Sequence, residues 1–181
     1  RNSDPKGFDR AMLLEVYIGA TERTKVIFRY PWQKDSTIYT VEKDSVLTIS
    51  VPLDSTLYIE SKLSEVPNYK LIEVITDKKT IVYAMNHTGA SSDAYAALPV
   101  ANWGKEYVIV STANDSYLPA AKAVDTIPRS CEFMIMASED STLVQFRPKA
   151  TTVVGFDTND LVSIYLMKGQ SYLVMSSQQQ T

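Results

Sequence analysis

Three segments far apart in the chain repeat one pattern. Glu22-Arg23-Thr24-Lys25-Val26-Ile27-Phe28, Lys78-Lys79-Thr80-Ile81-Val82-Tyr83-Ala84 and Asp140-Ser141-Thr142-Leu143-Val144-Gln145-Phe146 each place a charged turn before T-x-V-x and an apolar residue. Side chains alternate across a strand, so Thr and Val fall on one face, and both are stiff at χ1. An apolar strand precedes each turn. The pattern therefore predicts strand–turn–strand units, read here as antiparallel hairpins. A second unit also recurs: Val41-Glu-Lys-Asp-Ser-Val-Leu-Thr-Ile-Ser50 resembles Leu166-Met-Lys-Gly-Gln-Ser-Tyr-Leu-Val-Met175. The copies are unequally spaced, which excludes a fixed-period solenoid.

The rest of the chain agrees with an all-β reading. Strands are expected over Ala11–Gly19, Thr24–Tyr30, Thr37–Val41, Val46–Val51, Thr56–Ser61, Tyr69–Ile75, Thr80–Asn86, Cys131–Ala137, Thr142–Arg147, Leu161–Leu166 and Ser171–Met175. The stretch Asp93–Ser111 joins a small-residue strand to a β-prone run, Glu106-Tyr-Val-Ile-Val-Ser111, through a Pro99–Gly104 corner; the run is read as a core strand. The best helix candidate, Leu118–Val124, is bounded by Pro119 and Pro128 and reads as loop or a single turn. The expected fold is an antiparallel β-sandwich built from repeated hairpins, with two related half-units as an option. The boundaries are an N-terminal arm at 1–10, a domain at 11–175 (half-units about 11–68 and 69–175) and a tail at 176–181. The 181 residues, 45% hydrophobic, suffice for one large β domain or two small ones.

Composition narrows the function. The net charge is −3 and no basic stripe stands out, so the sequence offers neither a nucleic-acid surface nor a polybasic membrane contact. No apolar run reaches the roughly 18 residues of a spanning helix. The N-terminus lacks both an apolar signal core and an initiator methionine, which suggests a removed leader or a piece of a longer protein. The single cysteine, Cys131, rules out an internal disulfide and a Cys-rich zinc site. It shares an expected face with Phe133, Ile135 and Ala137 and is read as a buried, inert thiol.

The inventory of reactive groups is sparse. The one histidine, His87, lies in Asn86-His87-Thr88-Gly89-Ala90-Ser91-Ser92-Asp93. Ser, His and Asp crowded into one loop make a solvated turn, whereas a triad draws its partners from separate elements. Calcium needs only oxygen ligands, but Asp77, Asp93, Asp115, Asp125, Asp140, Asp157 and Asp160 sit in turn-like contexts without D-x-D-x-D-G spacing. The strand glutamates Glu15, Glu73, Glu106 and Glu132 leave a carbohydrate-active domain as a minor alternative. No phosphate-binding glycine motif occurs, so no cofactor, metal or catalytic residue is assigned. Binding falls to aromatics. Trp32 and Trp103 occupy predicted turns and can stack on sugars or anchor a protein. Trp103 is read as capping the core, and Trp32 fits either role. Asn86-His-Thr88 and Asn114-Asp-Ser116 match the glycosylation triplet, which carries weight only in a eukaryotic secretory host.

Ser92-Asp-Ala-Tyr-Ala-Ala-Leu-Pro-Val100 followed by Trp103-Gly-Lys-Glu-Tyr-Val-Ile-Val-Ser111 resembles the signature of the IgGFc-binding protein N-terminal domain family, a "daylalP" run followed by "lG.eYvv.sy". Ile75–Asn86 resembles its preceding strand pair, Phe133–Val144 its "f.viA.ed.T.V" hairpin, and Leu166–Tyr172 its "l..Gqsy" turn. The resemblance covers roughly Tyr69 to Met175 and rests on structural motifs. It implies an extracellular β-rich module of the kind found in a mucus-associated animal glycoprotein and in large bacterial surface proteins. The immunoglobulin-binding label belongs to the animal protein. The chain ends where the family continues and lacks its Cys-rich domains, as a fragment or shortened relative would. The expectation is a non-enzymatic extracellular adhesion or protein- or glycan-binding module of bacterial type. A surface-layer or filament subunit that pairs with itself is the alternative.

Overall fold

In the computed structural model the described residues are 13–33, 36–51, 64–87, 92–110 and 131–177. Two compact units interleave along the chain: Arg1–Tyr58 with Lys70–Gly104, and Ile59–Tyr69 with Lys105–Thr181. Apart from one 3₁₀ turn, every regular element among the described residues is a strand, and all the strand ladders are antiparallel. No helix among them is long and apolar enough to cross a membrane. The expected strand Thr56–Ser61 and the Leu118–Val124 piece lie outside the described residues.

The first unit holds β1 (Leu13–Ala20), β2 (Thr24–Arg29), β3 (Ser36–Val41), β4 (Ser45–Val51), β5 (Glu73–Thr76), β6 (Thr80–His87) and β7 (Ser92–Ala96). They form a four-stranded sheet, β4-β1-β6-β7, and a three-stranded sheet, β3-β2-β5. Alternate residues of both sheets bury into one cluster: Val16, Ile18 and Ala20 from β1, Val26 and Phe28 from β2, Val41 from β3, and Ile49 and Val51 from β4. The two sheets of this unit thus contribute to one buried cluster. The second unit holds β8 (Glu132–Met136), β9 (Thr142–Phe146), β10 (Val162–Leu166) and β11 (Ser171–Met175), paired as β8–β11 and β9–β10. Its core is Ala137, Leu166, Tyr172 and Val174, with Phe133, Ile135, Val144, Phe146 and Ile164 packed on it.

The strand–turn–strand units recur as expected, but they are not hairpins. The arms on either side of each short polar turn hydrogen bond to other strands: β1 pairs with β4 and β6, β2 with β3 and β5, β8 with β11, and β9 with β10. The turns are arches that carry the chain from one ladder to another. An amphipathic arm buries the same face in either geometry, so alternation cannot distinguish them. None of these turns carries the Asn-Gly or Asp-Gly pair that favours a tight two-residue hairpin, which agrees with the arches but does not by itself require them.

The arches also explain the repeated threonine. The Thr24 hydroxyl donates to the Glu22 carbonyl at 2.7 Å, and that of Thr142 donates to Glu139 at 2.7 Å. The Thr80 and Thr76 hydroxyls lie 3.3 Å apart. Each closes its arch from within. The second echo matches in backbone as well. Asp44 (φ 55°) and Gly169 (φ 76°) are both left-handed, at corresponding positions. Ser45 donates to the Glu42 carbonyl at 2.7 Å, and the Gln170 amide donates to Met167 at 2.9 Å. A Cβ on Gly169 meets only Tyr69 Cδ1 at 4.0 Å, so Gly169→Ala is strained by its backbone and not by a clash. It is expected to lower stability by about 1 kcal/mol, with Gly169→Asn milder, in urea unfolding.

Three further expectations change. Lys105–Val110 is no strand and is exposed, with Val108 at 92% and Val110 at 90%. β-propensity describes fit to a pleated, half-buried surface, so a β-prone composition does not by itself make a strand. β5 starts only at Glu73. Phe133, Ile135 and Ala137 do share the inward face, but Cys131, just before β8, is half-buried and not fully buried.

Candidate binding surface

The outer face of the three-stranded sheet follows from its register. Ile27 on β2 lies directly opposite Ile38 on β3 and Ile75 on β5. Directly opposed residues share a face, and their neighbours Val26 and Phe28 point into the core. Three isoleucines therefore form a row across the sheet on the side away from the core. Ile38 is 58% exposed and Ile75 39%.

Polar rows flank the isoleucines. On one side Arg29 lies opposite Ser36 and Glu73 and donates to the Glu73 carboxylate. That bond first, and the charge second, hold the guanidinium pKa above its ordinary value. On the other side the Lys25 amide donates to Asp77 Oδ1 at 2.8 Å, and the Asp77 amide donates back to the Lys25 carbonyl at 3.3 Å. A pocket of about 330 Å³ opens there, lined by Arg23, Thr24, Lys25, Ile38, Thr40 and Asp77. Arg23 Nε lies 3.3 Å from Glu42 Oε1. What the described residues of this patch present is an apolar centre on paired strands within a charged rim.

Trp32 and Trp103 are both half-buried, and no ring contact joins them. Trp32 ends a run of aromatics leading out of the core: Phe28 meets Tyr30 edge-on at 5.6 Å, and Tyr30 meets Trp32 at 5.1 Å. A turn closed by the Gln33 amide to the Tyr30 carbonyl, 2.8 Å, fixes it. Trp103 follows the 3₁₀ turn Val100–Asn102. Its indole N–H donates to the Leu98 carbonyl at 3.1 Å and so clamps the Pro99 corner to itself. It is not among the side chains packed on either described core cluster.

His87 and Ser92 form a cross-strand pair on β6 and β7, with His87 Nδ1 and Ser92 Oγ 2.5 Å apart. Asp93, the next residue along β7, projects to the opposite face, so it cannot orient the imidazole. Glu15 and Glu73 sit on the outer faces of different sheets, with the core between them. Glu15 accepts from the Tyr17 hydroxyl, and Glu106 is exposed outside any strand. Asp77, Asp140 and Asp160 accept backbone amides at their turns; Asp115 and Asp125 lie outside the described residues. Among those residues no group of three or more His, Cys, Asp or Glu side chains could hold a metal ion. The isoleucine row was the residue set that sequence reasoning missed. Its signal was present: Val26-Ile27-Phe28 and Val74-Ile75 put an apolar residue where alternation calls for a polar one.

Residues 93–181 match the family model described as IgGFc binding protein. The match is just under half of the chain; it begins in β7, takes in β8 to β11 and leaves the isoleucine face outside. No curated protein and no solved structure matches the chain.

Proposed function

We propose that this chain is a non-enzymatic module of an extracellular or cell-surface protein, bacterial in type, that binds a partner protein. The exposed Ile38–Ile27–Ile75 row, held flat on paired strands and rimmed by Arg29, Glu73, Lys25 and Asp77, is the observation that carries this reading. The family match over 93–181 supports protein binding as the class of activity and an extracellular setting. It does not extend to the isoleucine face, so the partner of that face is open. Trp32 favours a second reading, glycan adhesion: its ring is fixed against Tyr30 and half-exposed, as a stacking platform requires.

The test uses immobilised IgG Fc, the ligand in the family's name, beside a mixed glycan array. Ile38→Arg is expected to weaken protein binding at least about tenfold, since a charge at the centre of an apolar patch strikes its hot spot. Because Ile38 is exposed, melting is expected to hold. Trp32→Ala is expected to affect only glycan binding. Equal binding by wild type and Ile38→Arg would sink the isoleucine face; the absence of any binding to either surface would sink the module reading.

A further inference from the structure

We propose that two copies of this chain pair antiparallel through β7, joining their four-stranded sheets into one continuous sheet across a two-fold axis. β7 ends the order β4-β1-β6-β7. The opposite edge, β4, alternates exposed and buried residues over the core. All five residues of β7 are exposed, Tyr95 by 66%. Among the described residues β7 is paired only with β6, and its five residues lie outside the buried cluster of this unit. Its sequence, Ser-Asp-Ala-Tyr-Ala, carries the single charge of Asp93 but no lysine or proline, and its register with β6 runs without a bulge. These are the devices by which edge strands ordinarily resist pairing.

The direction of the free backbone groups follows from one hydrogen bond. The Ala97 amide donates to the Val82 carbonyl at 2.8 Å, so Val82 and Ala97 are a hydrogen-bonded pair. Antiparallel ladders alternate, so Asp93 and Tyr95 also turn their backbone groups to β6. Ser92, Ala94 and Ala96 turn theirs to the open edge.

Charge then selects the register. Centring the two-fold on Asp93 opposes two carboxylates, and centring it on Tyr95 shortens the overlap. Centring it on Ala94 sets Ser92 against Ala96 and Asp93 against Tyr95 of the second copy, so no like charges meet. The two Tyr95 rings then lie one diagonal step apart, within aromatic reach. The contact is isologous, so it closes as a dimer and does not propagate. It is independent of the isoleucine face, which belongs to the other sheet.

Sedimentation of the whole chain from about 10 µM to about 1 mM is expected to show mass rising from 20.2 kDa towards twice that value. Ala94→Pro removes an amide that faces the edge and not β6, a position where a strand tolerates proline; association is expected to weaken at least tenfold with melting little changed. Ala94→Lys keeps the amide but opposes two cations at the two-fold axis, and its dimer is expected to return at high salt. In a Cys131→Ser background, Ala94→Cys is expected to cross-link on oxidation, since opposed Cα atoms lie about 5.5 Å apart. Ala96→Cys is not, since it faces Ser92. A monomer at every concentration, species larger than a dimer, undiminished association of both Ala94→Pro and Ala94→Lys, or cross-linking at Ala96 with none at Ala94 would each overturn the proposal.

Discussion

Ile18→Asp is expected to abolish the cooperative fold of the first unit. Ile18 is fully buried, on β1 between β4 and β6, opposite Leu47 and Val82. The substitution removes an apolar side chain whose burial contributes roughly 1.5–3 kcal/mol. It also places a carboxylate within a buried apolar cluster, at an effective cost of several kcal/mol more. Domains of this kind are stable by only about 5–15 kcal/mol, so the sum consumes most or all of the margin. Ile18→Val, which removes one methylene, is expected to cost about 0.5–1.5 kcal/mol and keep the fold. Ile81→Asp, on the outer face of the neighbouring β6, is expected to be tolerated within about 0.5 kcal/mol. Thermal melting and amide exchange across β1, β4 and β6 test all three. A cooperative melt for Ile18→Asp within a few degrees of wild type would mean that β1 does not face the shared core.

The contrast between Ile18 and Ile81 also separates what the sequence could reveal from what it could not. Alternation correctly set Thr24 and Val26 on one face of β2, and both are buried, because hydrophobic burial acts on each strand locally. The partner of each strand was not legible, because pairing is a non-local choice between arms of equal amphipathicity. That is why arches were expected to be hairpins. The repeated threonine was visible as a pattern, but its reason, a hydroxyl closing the turn from within, needed the backbone. Tyr107-Val-Ile-Val110 shows the opposite failure: strong β-propensity, yet the run is exposed and is not a strand. Trp103 was expected to turn inward, yet the Leu98 carbonyl, five residues away, supplies its partner. Ile27 and Ile75 each break alternation in the sequence, but that they join Ile38 in one row emerges only when the three strands are set side by side.

Leu166→Ala is expected to cost about 2–5 kcal/mol, the range for emptying a buried leucine site, and to fall hardest on the second unit. Leu166 is fully buried at the end of β10, and it shares its cluster with Ala137, Tyr172 and Val174. Those residues come from β11 and the end of β8, which pair with each other and not with β10. Leu166 is therefore the fully buried side chain by which the β9–β10 ladder holds the β8–β11 ladder. Val41 occupies the matching position of the first unit, before the Asp44 arch, and is equally buried. Val41→Ala removes fewer methylenes from a larger cluster, and is expected to cost less, about 1–2.5 kcal/mol. Leu143, half-exposed on β9 opposite Tyr165, is expected to tolerate alanine within about 0.5 kcal/mol. Urea unfolding followed at β9–β11 amides distinguishes the three. If Leu166→Ala cost less than about 1 kcal/mol, the two ladders would not be sharing a core, and the matched burial of Val41 and Leu166 would be an accident of sequence and not a packing rule common to both arches.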